Sequence, residues 1–152
     1  MRKFALLLAT AVAGLAYCQD VEKLAPYYPT PETIVEKMLL LGELKAGEKM
    51  FDLGSGDGRI VIMAAQKFHA DAVGVEMDKD LHKQSMEKIR QLGLEKSARI
   101  VLGDIFKQNY SSASLITVYL LPASNDKVRP MLEKQLKKGA RVVAHLAISQ
   151  CV

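Results

Sequence analysis

The sequence predicts an α/β fold, with a mostly parallel sheet of about five strands and helices on both faces. Short apolar runs rich in Val, Ile and Leu alternate with segments of helical apolar spacing from residue 30 to residue 146. Strands separated by helix-length segments pair side by side through crossovers, which cover a parallel sheet above and below. The first strand also runs straight into a glycine-rich turn, Gly54-Ser55-Gly56-Asp57-Gly58, that opens the next helix.

Each element follows from its residues. The first helix is expected over 32–44, with Thr30 as cap, Pro31 at its start, and Ile34, Val35, Met38, Leu41 and Leu44 on its apolar face. Gly47 ends that segment. A short buried strand follows over 49–53, then a helix rich in Ile, Met and Ala over 59–68. Residues 72–77 read as the second strand, and 78–92 as a helix with Leu81, Ser85, Ile89 and Leu92 on one side. The third strand is expected over 98–102 and the fourth over 114–121. A helix over 125–137 turns Val128, Met131, Leu132 and Leu136 inward, Gly139 stops it, and 140–146 form the fifth strand. Neither repeat nor linker interrupts the pattern, so residues 30–152 make one domain, preceded by a segment over 19–29.

Residues 1–18 are of a different character. Arg2 and Lys3 precede fifteen uncharged residues, Phe4 to Cys18, dominated by Ala, Leu and Val. A basic start, an apolar stretch shorter than the ~20 residues of a spanning helix, and small residues near its end predict a signal peptide. Cleavage is expected after Ala16 or after Cys18. The leader points to export, periplasmic or secreted, or to membrane association through the leader. If translation starts further downstream, the protein is cytoplasmic. Losing Arg2 and Lys3 lowers the net charge from 21 − 17 = +4 to 19 − 17 = +2. So small a charge, with no dense Lys/Arg run, gives no reason to expect nucleic acid as a partner. Cys18 and Cys151 make no disulfide scaffold, and His69, His82 and His145 are unclustered, so no metal site is expected.

In open parallel sheets a ligand lies beyond the carboxyl ends of the strands, where the strand order reverses. That places the candidate site at Asp52-Leu53-Gly54-Ser55-Gly56-Asp57-Gly58-Arg59. Its glycines let a ligand approach the backbone and meet its N–H groups, with a helix N-terminus behind. The spacing is G-x-G-x-G, not the dinucleotide G-x-G-x-x-G, and no Lys-Ser or Lys-Thr pair follows as in a triphosphate loop. Asp57 inside the turn would repel a pyrophosphate and favour a cation. Glu76, ending the second strand, is placed to accept from both ribose hydroxyls, a use shared by NAD and S-adenosylmethionine (SAM) proteins. Asp104, after the third strand, can accept from an adenine amino group while Ile105 or Phe106 packs on the ring. Each acid alone has a plain structural use, as turn former, solvated strand end or helix cap. Together, three acids at successive strand ends beside one glycine turn point to an adenosine ligand. SAM fits them best, because it carries a sulfonium and an ammonium but no phosphate.

Over residues 26–146 the sequence resembles the class I SAM-dependent methyltransferases. Asp52 to Arg59 resembles the family's first motif, Val75 to Asp78 its second and Gly103 to Ile105 its third. Pro26-Tyr27-Tyr28-Pro29-Thr30-Pro31 and Tyr119-Leu120-Leu121-Pro122 are similar to a narrower group. These are small bacterial relatives of the mitochondrial lysine methyltransferases acting on the ATP synthase c-subunit and the adenine nucleotide translocase. The resemblance implies a Rossmann-like sheet, SAM as donor and a protein or small-molecule amine, foremost a protein lysine, as acceptor. It implies that Gly54, Ser55, Gly56 and Gly58 line the methionine part, with Asp52 bracing the turn and Asp57 within it. Glu76 would hold the ribose, Asp104 and Ile105 the adenine, and Tyr28 and Thr30 would close over the donor. Tyr119 and Pro122 would flank the acceptor. Many amine methyltransferases orient the acceptor there with an Asp or Asn oxygen, for which Leu120 and Leu121 offer no substitute. The family usually adds a C-terminal hairpin that completes seven strands, and here that hairpin is expected to be missing. A second reading is therefore a non-catalytic SAM-binding protein that keeps the fold.

Overall fold

A computed structural model describes residues 29–120 and 122–145. The expected leader, Tyr28 and Leu121 lie outside the described residues. The elements are α1 (Glu32–Leu41), β1 (Lys49–Leu53), α2 (Arg59–Phe68), β2 (Asp71–Glu76), α3 (Lys79–Gln91), β3 (Ala98–Leu102), a 3-10 turn (Ile105–Lys107), β4 (Leu115–Val118), α4 (Pro122–Gln135) and β5 (Arg141–Ala144). The strands pair in the order β3-β2-β1-β4-β5, every pair parallel. The order reverses at β1, so its carboxyl end opens into the crevice where such sheets take ligands.

Alternation along the strands divides the core into two layers. On one face Met50, Ala72, Ile100, Leu115 and Val143 meet Val35 and Leu39 of α1, Val61 and Ala64 of α2, and Ile89 of α3. On the other, Phe51, Leu53, Val73, Val75, Ile116 and Val118 meet Val128 and Leu132 of α4. Burying such side chains contributes about 1.5–3 kcal/mol each. Because the period is two, Asp52 between Phe51 and Leu53 points to the α2 side, under the glycine turn.

The first helix departs from expectation at both ends. Thr30 does not cap it; Pro31 occupies the cap position without a side-chain bond. Thr30 is buried, and its carbonyl accepts from Arg59 Nη1 at 2.8 Å. The helix also stops at Leu41 and not at 44. The Leu44 N–H donates to Leu39 O at 3.1 Å and that of Glu43 to Leu40 O at 2.9 Å, while Glu43 takes φ +47°. This left-handed closure turns Leu44 back into the core and leaves Leu41 77% exposed. Leu92, expected inward on α3, is exposed after the same type of closure with Gly93 at φ +67°. α4 begins earlier than expected, at Pro122, whose missing N–H costs nothing in a first turn. β4 and β5 are each shorter than the apolar runs that contain them.

Candidate active site

The glycine turn is built by three left-handed residues, Gly54, Gly56 and Gly58, at φ +78°, +54° and +77°. Its N–H groups are largely spent inside the fold, contrary to the expectation that they face a ligand. Those of Gly54 and Ser55 both donate to Val75 O at 3.0 Å, and that of Gly58 to Ser55 O at 2.9 Å. The Gly56 N–H donates to Glu76 Oε2 at 2.7 Å and the Arg59 N–H to Asp57 Oδ1 at 3.2 Å. A phosphate cradle needs such groups open. This turn therefore brings a ligand close to backbone without offering it an anion site. Gly58 stands behind the cleft: a Cβ there would lie 3.0 Å from Cβ of Ser85, so it packs α2 against α3.

The acids divide the remaining work. Glu76 is buried and accepts three backbone N–H bonds, from Gly56 at its Oε2 and from Met77 and Asp78, both at 2.9 Å, at its Oε1. It thereby ties the glycine turn to the β2–α3 corner, and Oε2 keeps acceptor capacity for a hydroxyl. Asp52 is 2% exposed, and its Oδ1 accepts from Thr117 Oγ1 at 2.7 Å. Burial pushes its pKa up to about 7; the Thr117 bond opposes this, and the charges of Glu76 and Asp57 add to it. Burial acts to raise Asp57 as well, but the Arg59 guanidinium, forked onto it at 2.9 Å and 2.7 Å, holds it below the usual range.

At the far end, Asp104 caps the 3-10 turn through Phe106 N at 2.9 Å. Ile105 is held by the Tyr110 hydroxyl, which donates to its carbonyl at 2.7 Å. Tyr110 is fully buried, edge-on to Phe51 with centroids 5.3 Å apart, and its burial pushes the phenol pKa up. At the opposite end Tyr119, just past β4, lines the cleft, its ring 5.0 Å from that of His145 just past β5.

Of the sequence-derived candidates, one cleft gathers Thr30, Asp52, Gly54, Ser55, Gly56, Asp57, Glu76, Asp104, Ile105 and Tyr119. Gly58 supports it from behind, Pro122 begins α4, and Tyr28 lies outside the described residues. Four supporting residues fall outside those candidates: Thr117, Arg59, Tyr110 and Gly74. Gly74 sits across from Asp52 in the sheet, where a Cβ would lie 2.5 Å from Ser55 Oγ and 2.5 Å from Ile100 Cδ1. A glycine inside an apolar strand is itself a signal of close approach. Among the described residues, the cleft is lined by Asp52, Asp57, Glu76, Asp78 and Asp104 against one arginine, Arg59, which forks onto Asp57. Such a lining attracts a cation and repels a polyphosphate.

Comparison with known proteins agrees with this chemistry. Residues 52–146 match the model of a family described as the ANTKMT methyltransferase domain. The chain is 41% identical over 121 residues to a protein-lysine N-methyltransferase of Saccharolobus islandicus, covering 79% of this chain and 75% of that protein. It is 32% identical over 119 residues to the human lysine N-methyltransferase named for the ATP synthase C-subunit, covering 78% of this chain and 50% of that one. Against the vertebrate relatives it thus spans about half their length. A Salinibacter ruber structure described as an RNA methyltransferase with S-adenosyl-L-homocysteine superposes with a TM-score of 0.77 at 39% identity, covering 82% of each chain.

Proposed function

This chain belongs to the family of the ANTKMT methyltransferase domain and is a SAM-dependent methyltransferase; on that premise we propose that its acceptor is the ε-amine of a protein lysine. SAM, when bound, supplies a methyl group already activated on a sulfonium. What remains for the protein is alignment, exclusion of water and delivery of an uncharged amine.

The residues fit those tasks. Glu76 Oε2 takes the ribose hydroxyl hydrogens, and the same carboxylate keeps the glycine turn in register. Asp104 and Ile105 receive the adenine, with Tyr110 fixing the Ile105 backbone. Gly54 and Gly56 let the methionine part lie against backbone, and Asp52 and Asp57 supply the negative field for its cationic groups. Thr30, anchored through Arg59, forms the N-terminal wall. Tyr119 bounds the side from which an acceptor enters. A phosphate-bearing nucleotide suits this site poorly, because the turn spends its N–H groups internally and the lining is acidic.

One observation carries the lysine reading: 41% identity across 79% of the chain to a protein named for lysine methylation. A second reading, an RNA acceptor, is favoured by the Salinibacter relative's description. The experiment incubates the protein with deuteromethyl SAM and a whole-cell extract, then hydrolyses protein to amino acids and RNA to nucleosides for mass spectrometry. Labelled ε-methyl-lysine, absent with Glu76→Ala, is the expected result. Label in nucleosides alone would replace lysine by RNA, and label in neither would overturn both acceptor readings.

A further inference from the structure

Asp52 lines the cleft, yet it is almost wholly withdrawn from water. A carboxylate so deeply buried needs a partner to stay charged. The charges that act on it, those of Glu76 and Asp57, are both negative. Its Oδ1 accepts instead from a neutral group, Thr117 Oγ1 at 2.7 Å. Thr117 is fully buried and stands directly across the β1–β4 pairing from Asp52, so both side chains project from the same face of the sheet. Its hydroxyl has one proton to give. The other acceptor in reach, Phe51 O, lies 3.5 Å away, at the limit of a hydrogen bond, so the proton goes to the carboxylate. Asp52 Oδ2 has no hydrogen-bond partner among the described residues.

We propose that Thr117 is a positioning residue for the donor: its hydroxyl holds Oδ1 of ionised Asp52 against β4, which leaves Oδ2 to meet the positive charge of SAM. The proposal rests on SAM as donor and not on which acceptor is methylated. A hydrogen bond donated to the charged form of an acid favours that form. A hydroxyl suits this task, because it supplies a donor without the positive charge that a Lys or Arg would set against the sulfonium. The same bond fixes the rotation of the carboxylate, since Oδ1 cannot leave Thr117 without losing its partner. Thr117 also precedes Tyr119 by two residues, so the strand that bounds the acceptor side sets the acid that meets the donor.

Burial opposes the charged form of Asp52, Glu76 and Asp57 add to that opposition, and Thr117 works against it. The neighbouring elements carry further ionisable groups. α2 contributes Arg59, forked onto Asp57, and Lys67, paired with Glu36 of α1. α1 also carries Glu32 and Lys37. At the amino end of β1 Lys49 pairs with Asp71, and on β5 Arg141 pairs with Glu48. Asp78 and Asp104 line the cleft beyond β2 and β3, and Tyr119 lines it beyond β4. A cationic donor favours ionised Asp52, so its affinity should rise with pH through the Asp52 titration.

The test compares Thr117→Val, which keeps the branched shape but no hydroxyl, with Thr117→Ser, which keeps the hydroxyl. SAM affinity is measured by calorimetry from pH ~5 to ~10, and the Asp52 carboxyl is followed over the same range by 13C NMR of protein labelled at aspartate. In Thr117→Val the Asp52 titration should move up by about one pH unit or more, because a hydrogen bond to the charged form is lost. The Kd for SAM at pH ~7 should then rise about 5- to 10-fold, and the difference should close toward pH ~10, where Asp52 ionises in either protein. Thr117→Ser should restore the native profile. With Asp52→Asn in place, the rise of affinity with pH should be absent whichever residue stands at 117. In native protein, which needs no variant to fold, adding SAM should move the Asp52 titration down. A native pH profile in Thr117→Val, even with a lower melting temperature, marks a merely structural threonine and overturns the proposal. So does a Thr117→Ser that behaves like Thr117→Val, or an Asp52 titration that SAM leaves unmoved. Native protein that binds no SAM at any pH overturns the donor assignment instead, and the proposal with it.

Discussion

Glu76→Gln isolates the residue that joins fold and ligand most directly. The native carboxylate accepts from Gly56, Met77 and Asp78, at 2.7, 2.9 and 2.9 Å. A glutamine can keep its oxygen on the Met77 and Asp78 N–H groups, but its NH2 then faces the Gly56 N–H, donor against donor. Leaving that buried donor unpaired costs about 1–3 kcal/mol, and the two retained bonds lose their charge assistance, about 1 kcal/mol more. A total of roughly 2–4 kcal/mol lowers the melting temperature by roughly 5–15 °C in a domain of this size. On the ligand side, losing the charged ribose acceptor removes about 1.5–3 kcal/mol, roughly a 10- to 100-fold rise in Kd for SAM. Thermal denaturation without ligand and calorimetric titration with SAM read the two parts separately. A variant that melts within about 1 °C of native and binds SAM within twofold would refute the placement of Glu76 at the centre of the site.

Four further outcomes are expected. Asp52, raised to about 7 in the fold from an ordinary value near 4, binds its proton more firmly in the native state than in the unfolded one. Its contribution to stability is therefore present below pH ~4 and lost as pH rises to ~7; Asp52→Asn should flatten that part of the pH–stability curve. For the same reason SAM, a cation, should bind more tightly as pH rises through 7 in native protein but not in Asp52→Asn, by calorimetry at several pH values. Gly74→Ala drives a methyl group to 2.5 Å from Ser55 Oγ and Ile100 Cδ1 and should cost about 1–3 kcal/mol by denaturant titration, with weaker SAM binding as the turn shifts. If residues 1–18 act as a signal peptide, as their composition leads one to expect, the exported product has an intact mass corresponding to a start at Tyr17 or Gln19, and an unprocessed cytoplasmic product would contradict that expectation.

Local patterns carry much of this structure in the sequence. β1, α2 and β3 fall where apolar periodicity and the glycine turn put them, because each element's residues agree with its neighbours' demands. Asp57, Glu76 and Asp104 are legible as strand-end acids, since the parallel sheet brings those ends together wherever they lie in the chain. What escapes depends on register or on closure chemistry. Thr117 meets Asp52 only because β4 pairs with β1 in one register across 65 residues of sequence. Tyr110 reaches back to the Ile105 carbonyl by a side-chain bond that no spacing announces. Periodicity carries the first helix on to 44 because Leu44 keeps helical spacing, while a left-handed Glu43, not a glycine, closes the helix. Thr30 resembles a cap because Thr-Pro often opens a helix, whereas its carbonyl holds Arg59 at the cleft wall.

The central claim is that an acid-lined cleft at the β1 turn, its N–H groups already spent, holds a cationic adenosine ligand without phosphate. Parallel calorimetric titrations of the protein with SAM and with NAD test it most directly. Saturable binding of SAM with no measurable heat from NAD is the predicted result. NAD binding as tightly as SAM, or no SAM binding at all, would contradict it.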